Sequence, residues 1–212
     1  LLGAISVYQY VVENGADIMN MSFSIPNLGN KRAVWRLMTE HATLCGLLSV
    51  SGAGNFQQSQ EIPVQQRIPE GIPCVLSAGG LDKEMKVPLF CSLGPVEWGS
   101  VHFYNDHPMP KGLTKPDVCG FPGAGYPVLK SGGNKGYHNP NNNVRGNSFS
   151  GPHAAGIAAL MLEANPELPA WRVKEIMEQT AKDIDPPGKD NRTGNGLIDG
   201  YRAVKAALDS KR

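Results

Sequence analysis

The chain has 212 residues, which at roughly 100–200 residues per domain makes one domain or a little more. Twenty Lys and Arg stand against nineteen Asp and Glu, a formal net charge of +1. That excludes the basic surplus of a nucleic-acid binder and the charged tracts of membrane patches and acidic tails. Hydrophobic residues make up 41%, enough for a core, while Gly (25) and Pro (17) form about a fifth of the chain against roughly 12% on average, so many turns and close backbone approaches are expected.

No apolar run approaches the roughly 18 residues of a membrane-crossing helix. No basic stretch followed by an apolar one opens the chain, so no signal peptide is expected. The first residue is Leu1 rather than Met, which leads us to expect a proteolytic product or an excerpt of a longer protein. None of Cys45, Cys74, Cys91 and Cys119 forms a C-x-x-C pair, so zinc spacing is absent. Cys45 and Cys74 lie in or beside apolar runs and read as buried small hydrophobes. Cysteine usage leaves the compartment open.

In chain order, Ile5, Tyr8 and Val12 predict a helix over 1–13, closed by Asn14-Gly15. Asp17 to Phe23 reads as a strand. Asn30 to Cys45 reads as a helix with Val34, Leu37, Met38 and His41 on one face, ended by Gly46. Leu47 to Ser51 and Cys74 to Ala78 are short buried strands, each followed by glycine. Strand, helix and strand at this spacing are the signature of a parallel sheet, whose sites form beyond the carboxyl ends of its strands. That directs attention to Ser22–Ser24 and Gly52–Asn55. Residues 92–147 are rich in Gly, Pro and Asn, notably at 131–134 and 139–143, and read either as a linker or as a long surface loop beside a site. Gly151 to Glu163 is apolar on every side and predicts a buried helix with close backbone packing. Further helices follow Pro169, with Val173, Ile176, Met177 and Thr180 on one face, and Gly200.

The chemistry concentrates in Gly146-Asn147-Ser148-Phe149-Ser150-Gly151-Pro152-His153-Ala154-Ala155-Gly156. A serine at the start of a buried helix has two readings. It can cap the helix, or it can be a nucleophile whose own N–H, at the positive end of the helix dipole, helps hold the oxyanion it creates. Gly146-x-Ser148-x-Ser150 is close to the elbow of α/β-hydrolases, but that class needs an acid and then a His after the serine. Here no His follows His153, so that class is excluded.

The segment resembles the nucleophile motif of the subtilisin-like serine peptidases, G-T-S-[MF]-[AS]-x-P-H-x-A-G. Gly146, Ser148, Phe149, Ser150, Pro152, His153, Ala155 and Gly156 agree. The resemblance implies that Ser148 is the acylating nucleophile. It also implies that Asn55, ending Val50-Ser51-Gly52-Ala53-Gly54-Asn55, supplies the side-chain donor of the oxyanion hole. Ser22, Phe23 and Ser24 would be the edge that pairs with an extended peptide, and Gly52, Ala53 and Gly54 the opposite wall of the primary specificity pocket. Tyr10 to Ser22, Lys115-Pro116-Asp117-Val118, Thr180-Ala181 and Gly194 to Asp199 are similar to further stretches of the family.

There are departures. Asn147 stands where Thr is usual, Ser24 where Gly is usual, and Cys119-Gly120-Phe121-Pro122-Gly123 is one residue longer than the common form. The family's catalytic Asp and His, both upstream in its members, have no counterpart here. The resemblance therefore implies an α/β fold, a three-layer αβα arrangement around a mostly parallel sheet, with residues 1–212 forming the C-terminal part of a catalytic domain whose N-terminal part is missing. It implies a serine endopeptidase acting on peptide or protein substrates through a Ser acyl-enzyme, with Asp and His supplied by that upstream part and this chain inactive alone. Neither nucleic acid nor membrane is expected as a partner. No cofactor and no metal ligand set is expected within the chain, calcium being a candidate for the complete domain. The alternative is a non-catalytic subtilase-like pseudoenzyme or binding module, motivated by Asn147, Ser24 and the absent Asp and His.

Overall fold

A computed structural model describes residues 2–211 apart from 27, 124–127, 130–136, 139–143 and 185. The Asn-rich stretches at 131–134 and 139–143 thus lie outside the described residues. Helix α1 (Leu2–Glu13) leads into β1 (Ile18–Met21), α2 (Arg32–Leu44), β2 (Leu48–Gly52), β3 (Leu76–Gly80) and β4 (Val118–Gly120). A two-stranded antiparallel ribbon, β5 (Val128–Leu129) with β6 (Tyr137–His138), precedes α3 (Asn147–Ala164), α4 (Ala170–Thr180) and α5 (Gly200–Asp209).

The four main strands form one parallel sheet in the order β1-β2-β3-β4, with Ile18 against Leu48, Val50 against Leu76 and Ala78 against Val118. Strands β2, β3 and β4 are buried along their whole length, as a sheet covered on both faces requires. On one face Leu48, Val50, Leu76, Ala78 and Val118 pack against Ala154, Ala158 and Met161 of α3 and Val173, Ile176 and Met177 of α4. On the other, Tyr8 of α1 and Trp35 of α2 meet Ile68, Ile72 and Trp98. The result is the expected three-layer α/β arrangement.

Three details depart from expectation. The inner face of α2 is formed by Ala33, Trp35, Arg36, Thr39 and Ala42, while Val34 and Leu37 are exposed. Polar side chains can turn inward here because they are satisfied. Thr39 donates to the Trp35 carbonyl, and Arg36 pairs with Glu40 and Asp106 while its guanidinium lies over Trp98 and Tyr104. Cys45 is exposed at the end of α2 and Cys74 is only partly buried; Cys91 and Cys119 are the buried thiols. Residues 92–147 are not a linker, because β4 within them is an integral strand of the sheet.

That strand is anchored by charge. Asp117, just before β4, accepts from Lys115 Nζ at 2.6 Å and from Ser77 N at 2.8 Å, and Lys174 and Lys189 approach its other oxygen at 2.9 and 3.5 Å. Lys115 is fully buried and also donates to the Val75 carbonyl. Buried charges persist only when paired and hydrogen-bonded, and this cluster ties β3, β4 and α4 together. The outer edge of β4 is covered in turn, since Cys119 N donates to Gly196 and Ile198 N donates to Cys119.

The opposite edge and one side of α3 are open. Among the described residues no strand pairs with the outer side of β1. Pro152, Gly156, Ala159 and Leu160 of α3 are exposed, although the helix is apolar on every side. The sequence predicts a helix buried all round; the structure buries one side of it.

Candidate active site

The sheet places its carboxyl ends at the amino end of α3, and the expected site forms there. Tight packing depends on missing side chains. A Cβ on Gly52, the last residue of β2, would lie 2.1 Å from the Asn147 carbonyl oxygen, and one on Gly80 would lie 2.7 Å from Asn147 Oδ1. The first turn of α3 therefore rests directly on the ends of β2 and β3. Gly146, which precedes the helix, has φ 153° and ψ 154°, a conformation open essentially to glycine alone. A side chain there would also meet Asn55 Nδ2 at 3.0 Å.

Asn147 is fully buried and acts as a clamp. Its Nδ2 donates to the Gly54 carbonyl at 2.6 Å, and its Oδ1 lies 3.3 Å from the Cys91 thiol. Its backbone N–H donates to Asn55 Oδ1 at 2.8 Å. This bond satisfies one of the helix's open N–H groups from a neighbouring segment. It also fixes the Asn55 amide, because the oxygen is committed to Asn147 and the NH₂ must face the other way. The Thr-to-Asn departure noted in the sequence thus lies within the packing that orients Asn55.

Ser148 is the second residue of α3 and is exposed, while the helix has no side-chain cap from its preceding residue. The capping reading of Ser148 therefore falls. No described residue accepts from the Ser148 N–H, which leaves it available beside the hydroxyl. Ser22 Oγ donates to the Ser148 carbonyl at 3.1 Å and accepts from Asn20 Nδ2 at 3.2 Å, tying the end of β1 to the same turn. Beyond β1 the chain runs on as Ser22, Phe23 and Ser24 until Ile25 bridges Ile68. Residues 22–24 lie between these pairings, with no main-chain partner among the described residues.

A narrow cleft of about 120 Å³ joins these parts, lined by Ser22, Phe23, Ser24, Gly52, Gly54, Asn55, Phe56 and Ser148. Of the residues singled out in the sequence, only Ala53 stays outside it. Ala53 is fully buried and its N–H donates to Ala78, so it extends the sheet instead of forming a wall. Phe56 is the lining residue that the sequence reading missed; its place directly after Asn55 was the available signal. Among the described residues no His or Asp lines the cleft. His153, five residues after Ser148, stacks on Phe121 at 5.3 Å and lies by Gly120, where burial lowers its pKa. Among the described residues no cluster of three or more His, Cys, Asp or Glu could hold a metal ion.

An exposed serine hydroxyl, its N–H, an oriented amide and an open extended edge thus meet at the carboxyl ends of a parallel sheet. A family model described as the Subtilase family matches residues 3–196, and the chain belongs to that family of serine peptidases. It is 26% identical to subtilisin DY of Bacillus licheniformis over 201 residues, which cover 92% of this chain and 59% of that protein. It is 31% identical to fervidolysin of Fervidobacterium pennivorans over 67 residues, 32% of this chain and 10% of that protein. The chain thus spans 59% of the one relative and 10% of the other. Among solved structures, the prenylagaramide maturation protease PagA superposes on all of this chain and 68% of its own with a TM-score of 0.71; at 20% identity this speaks for the fold.

Proposed function

We propose that this chain is the nucleophile-bearing part of a subtilisin-like serine endopeptidase and that Ser148 is its acylating residue. The observation that carries the proposal is the arrangement of Ser148 beside Asn55. A hydroxyl and its own N–H, which has no partner among the described residues, sit at the amino end of α3, next to an amide whose oxygen is held by Asn147 N at 2.8 Å. A peptide laid along residues 22–24 by main-chain bonds would bring its carbonyl carbon to Ser148. As Ser148 Oγ attacks, charge develops on the carbonyl oxygen. The Ser148 N–H and the Asn55 Nδ2 are the two donors offered to it, and such preorganised donors act mainly on the transition state.

The proton of Ser148 needs a base, and the base needs an orienting acid. Neither lines the cleft, so we assign both to an upstream part of the same domain. The place for that part is the open side of the molecule. The edge of β1, unpaired among the described residues, and the exposed Pro152–Gly156–Leu160 face of α3 together offer main-chain groups and apolar surface to a further layer. A calcium site, if the complete domain has one, would draw on the same upstream part.

The test is intact-mass analysis of the complete protein after a fluorophosphonate probe, with Ser148→Ala alongside. One adduct that maps to Ser148 and disappears in the variant is expected. No adduct on a complete protein that carries upstream Asp and His would overturn the peptidase reading in favour of a non-catalytic module.

A further inference from the structure

Glu70 is fully buried, and nothing in the acyl-transfer chemistry above uses it. Its carboxylate lies directly behind the cleft wall. Oε1 accepts from Ser24 Oγ at 2.7 Å and from Arg67 N at 3.0 Å, and it would stand 3.1 Å from a Cβ on Gly54. Ser24 and Gly54 both line the cleft, and both lie against this one oxygen. The second oxygen, Oε2, is buried with no hydrogen-bond partner.

An acid in that place is hard to explain as packing. An apolar side chain of similar volume would fill the wall without the cost of desolvating a carboxylate. Buried polar atoms are nearly always paired, and an unpaired one calls for a reason. Ser24, where the family usually has Gly, adds a donor to the same carboxylate and turns its hydroxyl toward Glu70.

We propose that Glu70 is the specificity determinant of this cleft and selects, just before the scissile bond, a slender side chain ending in a cation, lysine before arginine. The proposal rests on the reading of the cleft as the seat of a peptide side chain. The ammonium would supply the donor that Oε2 lacks; with Oε1 already accepting from Ser24 and Arg67, a compact ammonium suits the carboxylate better than the two-pronged guanidinium fork. Burial pushes the Glu70 carboxyl up to about 7, and the neighbouring Arg67 charge opposes that rise. The Arg67 guanidinium stacks 3.6 Å from the Phe56 ring centroid and lines a separate cleft with Arg32 and Glu97. It therefore does not occupy the place assigned to the lysine.

The experiment uses the complete protein and product peptides that differ only in the last residue: lysine, arginine, norleucine or glutamate. Norleucine keeps the stem and replaces the ammonium by a methyl. Calorimetry at pH 8 should show the lysine peptide binding at least about tenfold tighter than the norleucine peptide. In Glu70→Gln the two should become equal. In the wild type at pH 5.5 the lysine advantage should shrink as Glu70 protonates. Equal binding of lysine and norleucine peptides by the wild type would overturn the proposal, whether or not the variant folds. So would a lysine preference that survives in Glu70→Gln, or a preference for glutamate, which would give the role to Arg67. Binding of products needs no turnover, so this result is separate from fluorophosphonate labelling of Ser148. Labelling without lysine preference would remove the Glu70 proposal alone. Lysine preference without labelling would remove the peptidase reading alone.

Discussion

Gly52→Ala tests the coupling between sheet and nucleophile. The added Cβ would lie 2.1 Å from the Asn147 carbonyl oxygen, 2.5 Å from its carbon and 3.1 Å from Ser148 N. Ordinary carbon–oxygen contact begins near 3.4 Å, so the first turn of α3 must recede by about 1 Å or β2 must yield. Neither partner is a flexible side chain tip. On the other side of the contact, Gly151 already lies so close that its own Cβ would meet Gly52 N at 2.9 Å. Overpacking of this kind costs about 1–3 kcal/mol in stability. The cost in rate should be larger, since a misplacement of about 1 Å costs roughly 10²-fold where geometry must match a transition state. The assay is the second-order rate of fluorophosphonate labelling of the complete protein, with urea unfolding measured in parallel. We expect labelling to slow by about 10²-fold while the protein still folds. Full-rate labelling with unchanged stability would refute the claim that α3 rests directly on β2.

Three further outcomes follow from other parts of the structure. Gly156→Ala, on the side of α3 where an added Cβ meets nothing within 4 Å of this chain, should destabilise the complete protein by about 1–3 kcal/mol through overpacking against the upstream layer, instead of stabilising it by up to about 1 kcal/mol as on an open helix face. Thermal unfolding of the complete protein decides between these signs, and stabilisation would remove our docking site for that layer. Asp117→Asn should cost about 3–5 kcal/mol in urea unfolding, because it leaves buried Lys115 without its counter-charge. The three lysines hold the Asp117 carboxyl well below the usual range, so its stabilisation is fully present above the unfolded pKa near 4 and is lost only in strong acid. Glu70 has the opposite sign. Its folded pKa of about 7 lies above the unfolded value of 4.5, so the folded state binds the extra proton. Stability should fall by up to about 3 kcal/mol as pH rises from 4.5 through 7, and this slope should vanish in Glu70→Gln.

The sheet was legible because its strands announce themselves in two ways: short apolar runs, and glycines where the runs end. Leu48–Gly52 and Leu76–Gly80 carry both signals. Val118–Gly120 ends in glycine but has only two apolar residues before it, and its place is set by Asp117 and the lysines around it, which no periodicity records. The face of α2 was misread for a related reason. Hydrophobic spacing favours Val34 and Leu37, but Arg36 and Thr39 turn inward because Asp106, Glu40 and the Trp35 carbonyl satisfy them.

The site shows the same division. Ser148, Asn55 and the edge 22–24 could be named from the motifs, and the structure gathers them around one cleft. What orients them could not be named. The Asn147 to Asn55 bond joins residues 92 positions apart, and the Ser24 to Glu70 bond joins residues 46 apart. Such pairs exist only once β1, β2 and α3 have been brought together. The first is made by the backbone N–H of residue 147, while the departing side chains themselves bond elsewhere in the site, Asn147 Nδ2 to the Gly54 carbonyl and Ser24 Oγ to Glu70. The Asn55 amide depends on the one pair, and the cleft's inner wall on the other. A double-mutant cycle on Ser24→Gly and Glu70→Gln would show the second coupling directly. Nonadditive effects on lysine-peptide binding are expected, and strict additivity would mean that Ser24 does not act through Glu70.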